Sequence, residues 1–479
     1  MTYEYKTKPF NHQAIEFEQH GRDAARGLFW EQGTGKTKSV IDEVADLYEA
    51  GLVDGLVVIA PNGVHRNWVS DEIPAHMPDR VLKKTLSHIW YSTDTKAHRE
   101  SFDATLNHKG LAVLVMSYNA VWTERGRKAW KSFLIKRRCM YVLDESQRVK
   151  NPGAKWSKRI LGSHAAAPYK RVLSGTPCAN SPFDIYNQIR FLDPNVWVPY
   201  GIHNFAAFKQ YFGMWETWST RDGQSYPKCI AYRNLEILHQ KMEEYGSRVT
   251  KDQVLDLPPK LYSKRYFDLT SEQRRLYRQL QDQCYAELTA GLLTAPLAIV
   301  RLVRFQQITC GYLPKSDDDQ TLEEIPGGNP RLALLGELCD DLEQKAIIWC
   351  RFRRDVALIS KLLGHGCVVA DGSVAGEQRS LNLDAFQKGD IQFLVGNPAA
   401  IGMGVTLHAA KTCIYYSNSF SLEQRLQSED RAHRIGTTSP VEYIDLVAPG
   451  TVDVKIVEAL RMKVDVSSQI TGDTLKEWI

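Results

Sequence analysis

Gly33-Thr34-Gly35-Lys36-Thr37 brings two glycines, an ammonium and a hydroxyl together. It lies between a short apolar segment, Gly27 to Trp30, and a helical pattern from Lys38 to Glu49, the setting that a phosphate-binding loop requires. The glycines let successive backbone N–H groups face one anion, and the following helix aims its positive end at the same spot. Lys36 would then reach the β- and γ-phosphates and the Thr37 hydroxyl would ligate Mg²⁺. Trp30 stands where the strict pattern wants a further glycine, so this is the shorter G-x-G-K-T form. Asp144-Glu145 ends the apolar run Met140 to Leu143. One carboxylate there suits a metal through its water shell, and the other suits an attacking water. Gln427, Arg431 and Arg434 fall at i, i+4 and i+7 after a helix start at Ser421, a spacing that puts them on one helical face. Two guanidiniums so placed suit the charge on a transferred phosphoryl group, or else form a surface ion-pair face with Glu423, Glu429 and Asp430.

Positioning these groups takes strands. β-type segments at Gly27–Trp30, Leu56–Pro61, Leu111–Tyr118, Cys139–Glu145 and Arg171–Pro177 alternate with helical patterns, as in a parallel sheet with ligands at its carboxyl edge. Alternation stops between Asn195 and Arg248, where a small helical insertion is expected, its aromatics Phe205, Phe208, Tyr211, Phe212, Trp215 and Trp218 making a local core rather than a base-stacking surface. The prolines of Asp256-Leu257-Pro258-Pro259-Lys260 mark a boundary. Thr270–Ala290 and Pro296–Cys310 read as helices and Lys315–Asn329 as a loop. Strands follow at Ala346–Cys350, Cys367–Ala370, Ile391–Gly396, Cys413–Ser417 and Val441–Val447. The basic run Arg125, Arg127, Lys128, Lys131, Lys136, Arg137, Arg138 reads as a solvated outer helix rather than a nucleic-acid groove.

At 479 residues the chain exceeds one ordinary core. Its 60 basic and 56 acidic side chains leave a formal charge of only +4, so any polyanion must be met by local patches. Nine cysteines without a C-x-x-C pair suggest neither zinc nor a disulfide framework. No signal-peptide core or membrane-length apolar run is present, and a soluble protein of a reducing, intracellular compartment is expected.

Taken in order, these segments resemble the motifs of superfamily 2 helicases, most closely the Swi/Snf branch of DNA-translocating ATPases. Pro9-Phe10-Asn11-His12-Gln13 looks like the adenine-reading Q element and Gly33 to Thr37 like motif I. Asn67-Trp68 resembles motif Ia, and Ser117-Tyr118 the next DNA-contacting element. Asp144 to Gln147 with Lys150-Asn151 matches motif II, and Ser174-Gly175-Thr176-Pro177 with Asn180 matches motif III. Arg248 to Lys251 running into Leu257-Pro258-Pro259-Lys260 is similar to the junction of that branch. Asp371-Gly372-Ser373 with Arg379, Gly402 to Leu407, and Gln427 to Gly436 look like motifs IVa, V and VI. The resemblance runs from about Pro9 to Asp453. Gln147 stands where the family usually has histidine, which bears on coupling between the ATP and DNA sites, and Thr437 replaces a frequent glutamine.

The resemblance implies an α/β fold of two tandem RecA-like parallel-sheet lobes with helical insertions. Lobe 1 would span 1–257 with its insertion at about 195–248. Lobe 2 would span 258–479, with an insertion at about 270–328 and a C-terminal helix. ATP and Mg²⁺ are the implied cofactors, in a cleft where lobe 1 binds and Arg431 and Arg434 complete the site. Lys36, Asp144, Glu145, Arg431 and Arg434 would be catalytic. Gln13, Gly33, Thr34, Gly35, Lys36, Thr37, Gly404 and Gln427 would hold the nucleotide, with Thr37 and Asp144 on the metal. Asn67, Ser117, Lys150, Asn151, Ser373 and Thr406 would contact DNA. The expected function is an ATP-dependent double-stranded DNA translocase, a compact, monomeric motor of phage or bacterial type acting in the cytoplasm on forks, branches or DNA-bound proteins. A strand-separating DNA or RNA helicase is the runner-up. A nucleotide-gated DNA clamp with little turnover, for which Gln147 is the only hint, is the reading from another class.

Overall fold

Largely apolar strands set the first sheet, because a strand that is buried on both faces needs no polar alternation. The computed structural model describes residues 3–219, 225–289, 295–315, 321–401 and 405–473. Its strands β1 (Ala25–Trp30), β2 (Gly55–Ala60), β3 (Thr85–Ile89), β4 (Leu111–Ser117), β5 (Cys139–Asp144) and β6 (Tyr169–Leu173) are followed by a separate two-stranded sheet, β7 (Gly213–Ser219) with β8 (Ser225–Tyr232), and by β9 (Gly246–Val249). The seven-stranded sheet has the order β3-β4-β2-β5-β6-β1-β9, all neighbours parallel. Alternate residues feed two cores. Val57, Ile59, Leu114, Tyr141 and Leu143 pack against Trp130 and Phe133 of the helix Glu124–Lys136. Leu56, Val58, Val113 and Val142 pack on the other side against Val40, Ile41, Val44 and Leu47 of the helix Lys36–Glu49. The register pairs Leu28 with Leu173, Leu143 with Val172, Ile59 with Leu143 and Ala60 with Ser117. It thereby lines up the loops after β1, β2, β4, β5 and β6 along one edge.

The second sheet contains β10 (Lys260–Tyr266), then, after the short antiparallel pair β11 (Tyr312–Pro314) and β12 (Leu322–Glu324), the strands β13 (Ala346–Trp349), β14 (Cys367–Ala370), β15 (Phe393–Gly396), β16 (Thr412–Tyr415) and β17 (Val441–Val447). Its order is β10-β17-β16-β13-β15-β14, again all parallel. The chain is therefore two parallel α/β units in tandem. By residue contacts one unit holds Met1–Gly213, Tyr232–Asp256 and Val466–Thr474, and the other Met214–Ala231 and Leu257–Asp465.

Some local expectations change. The stretch 195–248 is not purely helical: between the helices Phe205–Phe212 and Leu235–Tyr245 lie β7 and β8. Its aromatics Phe208 and Phe212 are fully buried, with Phe205 and Tyr211 packed against them, while the Trp218 side chain lies outside the described residues. The expected loop at 315–329 contains β12, and β3, β9 and β10 are strands that the apolar pattern did not reveal. Among the described residues no helix is long and apolar enough to cross a membrane.

Candidate active site

The loop after β1 turns on two left-handed glycines, Gly33 at φ 85° and Gly35 at φ 86°. At Gly35 a side chain is excluded twice, since a Cβ would also stand 2.2 Å from Gln13 Nε2. That contact is close packing between the first helix and the loop. Gln13 is buried in the helix Asn11–His20, donates from Nε2 to Gly35 O at 3.0 Å and accepts from Phe10 N at 2.8 Å. His12 supports the next carbonyl, Nε2 to Thr34 O at 2.9 Å, with its ring packed between those of Phe10 and Trp30. Thr34 is buried, its hydroxyl on Glu31 O at 2.8 Å. Lys36 Nζ donates to Trp30 O at 2.9 Å and Glu31 O at 3.1 Å. The ammonium thus rests on the rim of its own loop, and half-buried Thr37 opens the helix beside it.

Asp144 ends β5 and is buried. Its Oδ2 accepts the indole N–H of Trp68 at 2.9 Å and its Oδ1 the Glu145 N–H at 3.0 Å, while Tyr118 donates to its backbone oxygen at 2.9 Å. Burial pushes this carboxyl above its ordinary range, against the pull of the Trp68 bond and of the Lys36 charge. A cation beside it would reverse that penalty, so the donor set fits the Mg²⁺ site expected at Asp144 and Thr37. Glu145 takes the left-handed conformation at φ 50°, unusual for a side chain of this kind and a mark of local constraint. Its carboxylate accepts from Gln32 Nε2 at 3.4 Å and Gln147 Nε2 at 2.6 Å, and Ser174 Oγ donates to Gln147 Oε1 at 2.7 Å. Gln147 therefore links the motif II carboxylate to the motif III loop, and Ser174 Oγ also accepts from Thr176 N at 3.2 Å.

Arg248 braces this edge from β9. Its guanidinium donates to Phe29 O at 2.7 Å and Gly175 O at 3.2 Å, and forms a two-pronged pair with Asp473 at 2.9 and 2.7 Å. Trp68, His12 and Arg248 were not among the residues assigned roles from sequence, and Gln147 was read only as a departure bearing on coupling. Each sits inside or next to a quoted motif, but only the fold reveals its partner.

The expected DNA-contact residues are placed unevenly. Asn67 and Asn151 are exposed, the latter's Oδ1 accepting from Gly153 N at 2.9 Å. Lys150 is half-buried with Nζ 3.8 Å from Asp184. Ser117 is buried and its hydroxyl caps the helix Tyr118–Trp122 through Ala120 N at 3.2 Å. In the second unit Ser373 is exposed and bonds Asp371 through its N–H at 2.8 Å. Thr406 Oγ1 accepts from Arg434 Nη1 at 3.0 Å, so these two residues meet.

The shared helical face of Gln427, Arg431 and Arg434 needs correction. The helix Leu422–Ala432 ends at His433, and Arg434 lies in the turn that follows, where Thr437 Oγ1 accepts from its N–H at 3.1 Å and Gly436 takes φ 100°. Arg431 is buried, donating from Nη2 to Ile401 O at 2.8 Å. Gln427 is half-buried and its Nε2 has no hydrogen-bond partner among the described residues. Gly404 lies outside the described residues. The ion pairs of Glu429 are buried rather than on a surface face: Glu429 accepts from Arg425 Nε at 2.8 Å and Tyr262 OH at 2.8 Å and faces Lys260 at 3.2 Å, and Arg425 spans Asp445 at 2.6 and 3.0 Å.

A glycine loop, a strand-end carboxylate pair and a second parallel α/β unit define a phosphate-binding tandem protein. The SNF2-related domain model matches residues 19–308, and that of the helicase conserved C-terminal domain residues 331–436. The chain belongs to the SNF2-related family. It is 25% identical over 441 residues to the Chromodomain-helicase-DNA-binding protein 1-like of Danio rerio, covering 88% of this chain and 40% of that protein. It is 26% identical over 466 residues to the putative ATP-dependent helicase/translocase YwqA of Bacillus subtilis, covering 94% and 46%. The chain thus spans less than half the length of these relatives. A similar solved structure is the Sulfolobus solfataricus SWI2/SNF2 ATPase core in complex with dsDNA, at a TM-score of 0.42 and 20% identity over 99% of this chain and 95% of that one.

Proposed function

We propose that this protein is an ATP-driven motor that translocates along double-stranded DNA, remodelling forks, branches or DNA-bound proteins. The observation that carries the reading is the single network at the carboxyl edge of the first sheet: Gln32 of the phosphate loop, Glu145, Gln147 and Ser174 in one line of hydrogen bonds. Backbone N–H groups of the loop and the Lys36 ammonium bind the phosphates. Glu145, fixed by Gln32 and Gln147, orients the attacking water and takes its proton at a carboxylate oxygen. Asp144 and Thr37 would hold Mg²⁺, which supplies Lewis-acid charge neutralisation to the phosphates. Arg431 and Arg434 supply further positive charge, and Gln13, Gly404 and Gln427 complete the nucleotide contacts. Asn67, Asn151, Lys150, Ser373 and Thr406 grip the DNA backbone without reading sequence. Ser117 serves the same surface from within, by capping the helix after β4.

The nucleotide-gated clamp rested on Gln147. That residue holds Glu145 and Ser174 together, which favours turnover coupled to the neighbouring loop over an idle site. ATP hydrolysis measured with no nucleic acid, duplex, single-stranded and forked DNA and RNA is the test. Strong stimulation by duplex, abolished in Lys36→Ala and Glu145→Gln, is expected. Turnover that stays at the Glu145→Gln background while DNA binding still follows ATP would replace the motor with the clamp.

A further inference from the structure

From Ser146 to Phe183 the sequence contains no Asp or Glu, and its first part carries Arg148, Lys150, Lys155, Lys158 and Arg159. These cations are not scattered in space. The helix Lys155–Leu161 packs both on the 3₁₀ turn Ser146–Val149, which directly follows Glu145, and on the helix Tyr118–Trp122. Trp122, 40% exposed, is the anchor. Lys155 Nζ lies 4.5 Å from the centre of its ring and the Arg159 guanidinium 4.6 Å. Arg159 is fixed further by donating to the Val121 and Trp122 carbonyls. On the other flank, Trp156 donates to Arg148 O at 3.2 Å. Arg148, Lys155 and Lys158 are exposed, and none of them, nor Arg159, forms an ion pair among the described residues.

The other basic stretch behaves differently. On the helix Glu124–Lys136, Arg125 is paired with Asp94 at 2.7 Å, and Arg127 and Lys128 share Glu124 at 2.6 and 3.9 Å. Arg137 is buried, bonded to the carbonyls of Thr105, Leu106 and His108. Arg125, Arg127 and Lys128 are thus paired with carboxylates, whereas the ridge cations form no ion pair among the described residues, Arg159 alone lying within the field of Glu124.

We infer that Trp122, Lys155, Lys158 and Arg159 form an additional phosphate-gripping ridge for a nucleic-acid duplex, continuous with Lys150 and Asn151. Cations three and four residues apart on one helix, none of them in an ion pair among the described residues, present a row of positive charge to a polyanion. Two of them are held against an indole, so less side-chain freedom is lost on binding. The inference rests on the DNA-motor reading and adds where the first unit holds its track.

The test is Lys155→Gln/Lys158→Gln, which leaves the Arg159 bonds and the carboxylate network intact, with Lys128→Gln/Lys131→Gln as the control of equal net charge. Binding of a fluorescent DNA duplex is measured by anisotropy across a KCl series, and ATP turnover with and without duplex. Losing two phosphate contacts should make the slope of log K against log salt shallower by about 2. The DNA concentration for half-maximal stimulation should rise roughly tenfold or more, with DNA-free turnover unchanged. A ridge variant with the slope of the unaltered protein, or a control variant equally impaired, overturns the ridge while leaving the motor standing. If the unaltered protein neither binds duplex nor is stimulated by it, the motor reading falls and the ridge with it.

Discussion

In the first unit Asp144 and Glu145 are held by side chains arriving from several loops: Trp68 after β2, Gln32 after β1, and Gln147, itself tied to Ser174 after β6. In the second unit Arg431 and Arg434 lean on a backbone carbonyl and a threonine hydroxyl, above a buried cluster of Arg425, Glu429, Asp445 and Lys260. The contrast follows from the charge each unit must keep. Carboxylates at a strand end accept hydrogen bonds from any loop that reaches the edge, so their orientation can report the positions of those loops. Arginines proposed to meet a phosphate need their charge, and the Ile401 carbonyl and the Thr406 hydroxyl are neutral acceptors among their contacts. The first arrangement gathers side chains from several loops, and the second sits at the end of one helix and the turn after it.

The largest effect should come from removing the arginine charge of the second unit. Arg434→Ala should lower kcat roughly 10³-fold, the scale of an arginine that meets transition-state charge, while nucleotide binding by the first unit persists. Single-turnover hydrolysis alongside binding of a fluorescent ATP analogue separates the two. A variant with normal kcat would make Arg434 a mere partner of Thr406 and end the contrast. Arg434→Lys, which keeps the charge and loses the planar fork, should recover only a small part of the rate.

Next in size is the foundation under those arginines. Arg425 is buried between Glu429 and Asp445, with its guanidinium carbon 3.5 Å from the Tyr415 ring centre. Arg425→Met leaves two buried carboxylates short of a partner, and breaking such a pair costs about 3–5 kcal/mol. Asn418 still bonds Asp445, and Lys260 and Tyr262 still meet Glu429, which puts the expected loss near the lower figure. Denaturant unfolding followed by hydrogen exchange should find it in β16 and β17 and not in β1 to β6. A loss shared by both sheets would show that the cluster does not belong to the second unit alone.

The sequence announces these regions unequally. Strands β2, β4 and β5 were legible because they are apolar up to the Ser117 and Asp144 that end β4 and β5, as burial on both faces demands. The edge strands β3 and β10, with the sequences Thr-Leu-Ser-His-Ile and Lys-Leu-Tyr-Ser-Lys-Arg-Tyr, carry polar and charged residues that blunt an edge and hide it from an apolar search. β9 is a four-residue edge strand opening on glycine, too short to show a period. In the site, Gly33 to Thr37 was readable because backbone geometry restricts its residue types. Trp68 was quoted with Asn67 as part of motif Ia, but nothing in the sequence says that its indole N–H reaches Asp144. The placement of Arg434 failed for a local reason: the helical period extends past Ala432, but Gly436 supports a left-handed turn that ends it.

The smallest effect asks whether acid distinguishes the units. His88 of β3 is 4% exposed, beside the His98 ring and with Ser101 Oγ 2.9 Å from its Nδ1. Trp90 and Phe102 pack around it, and Arg125 and Asp94 influence its neighbour His98. Burial, and then His98, push His88 down to about 4. Its folded form therefore binds fewer protons than the unfolded chain between pH 6.5 and about 4. The contribution is whole above pH 6.5 and is lost as pH falls through that window. For Glu429 burial alone would raise the carboxyl, but the Lys260 and Arg425 charges bring it below its usual value. Its contribution is whole above about pH 4.5 and is lost only below that. Stability curves of His88→Gln and Glu429→Gln, each subtracted from that of the unaltered protein, should differ in window. The His88 difference should decline between pH 6.5 and 4 by on the order of 2 kcal/mol, allowing for solvent screening. The Glu429 difference should stay level until about pH 4.5 and then fall. Coincident windows would mean that the Lys260 and Arg425 charges do not hold Glu429 in its ionised form.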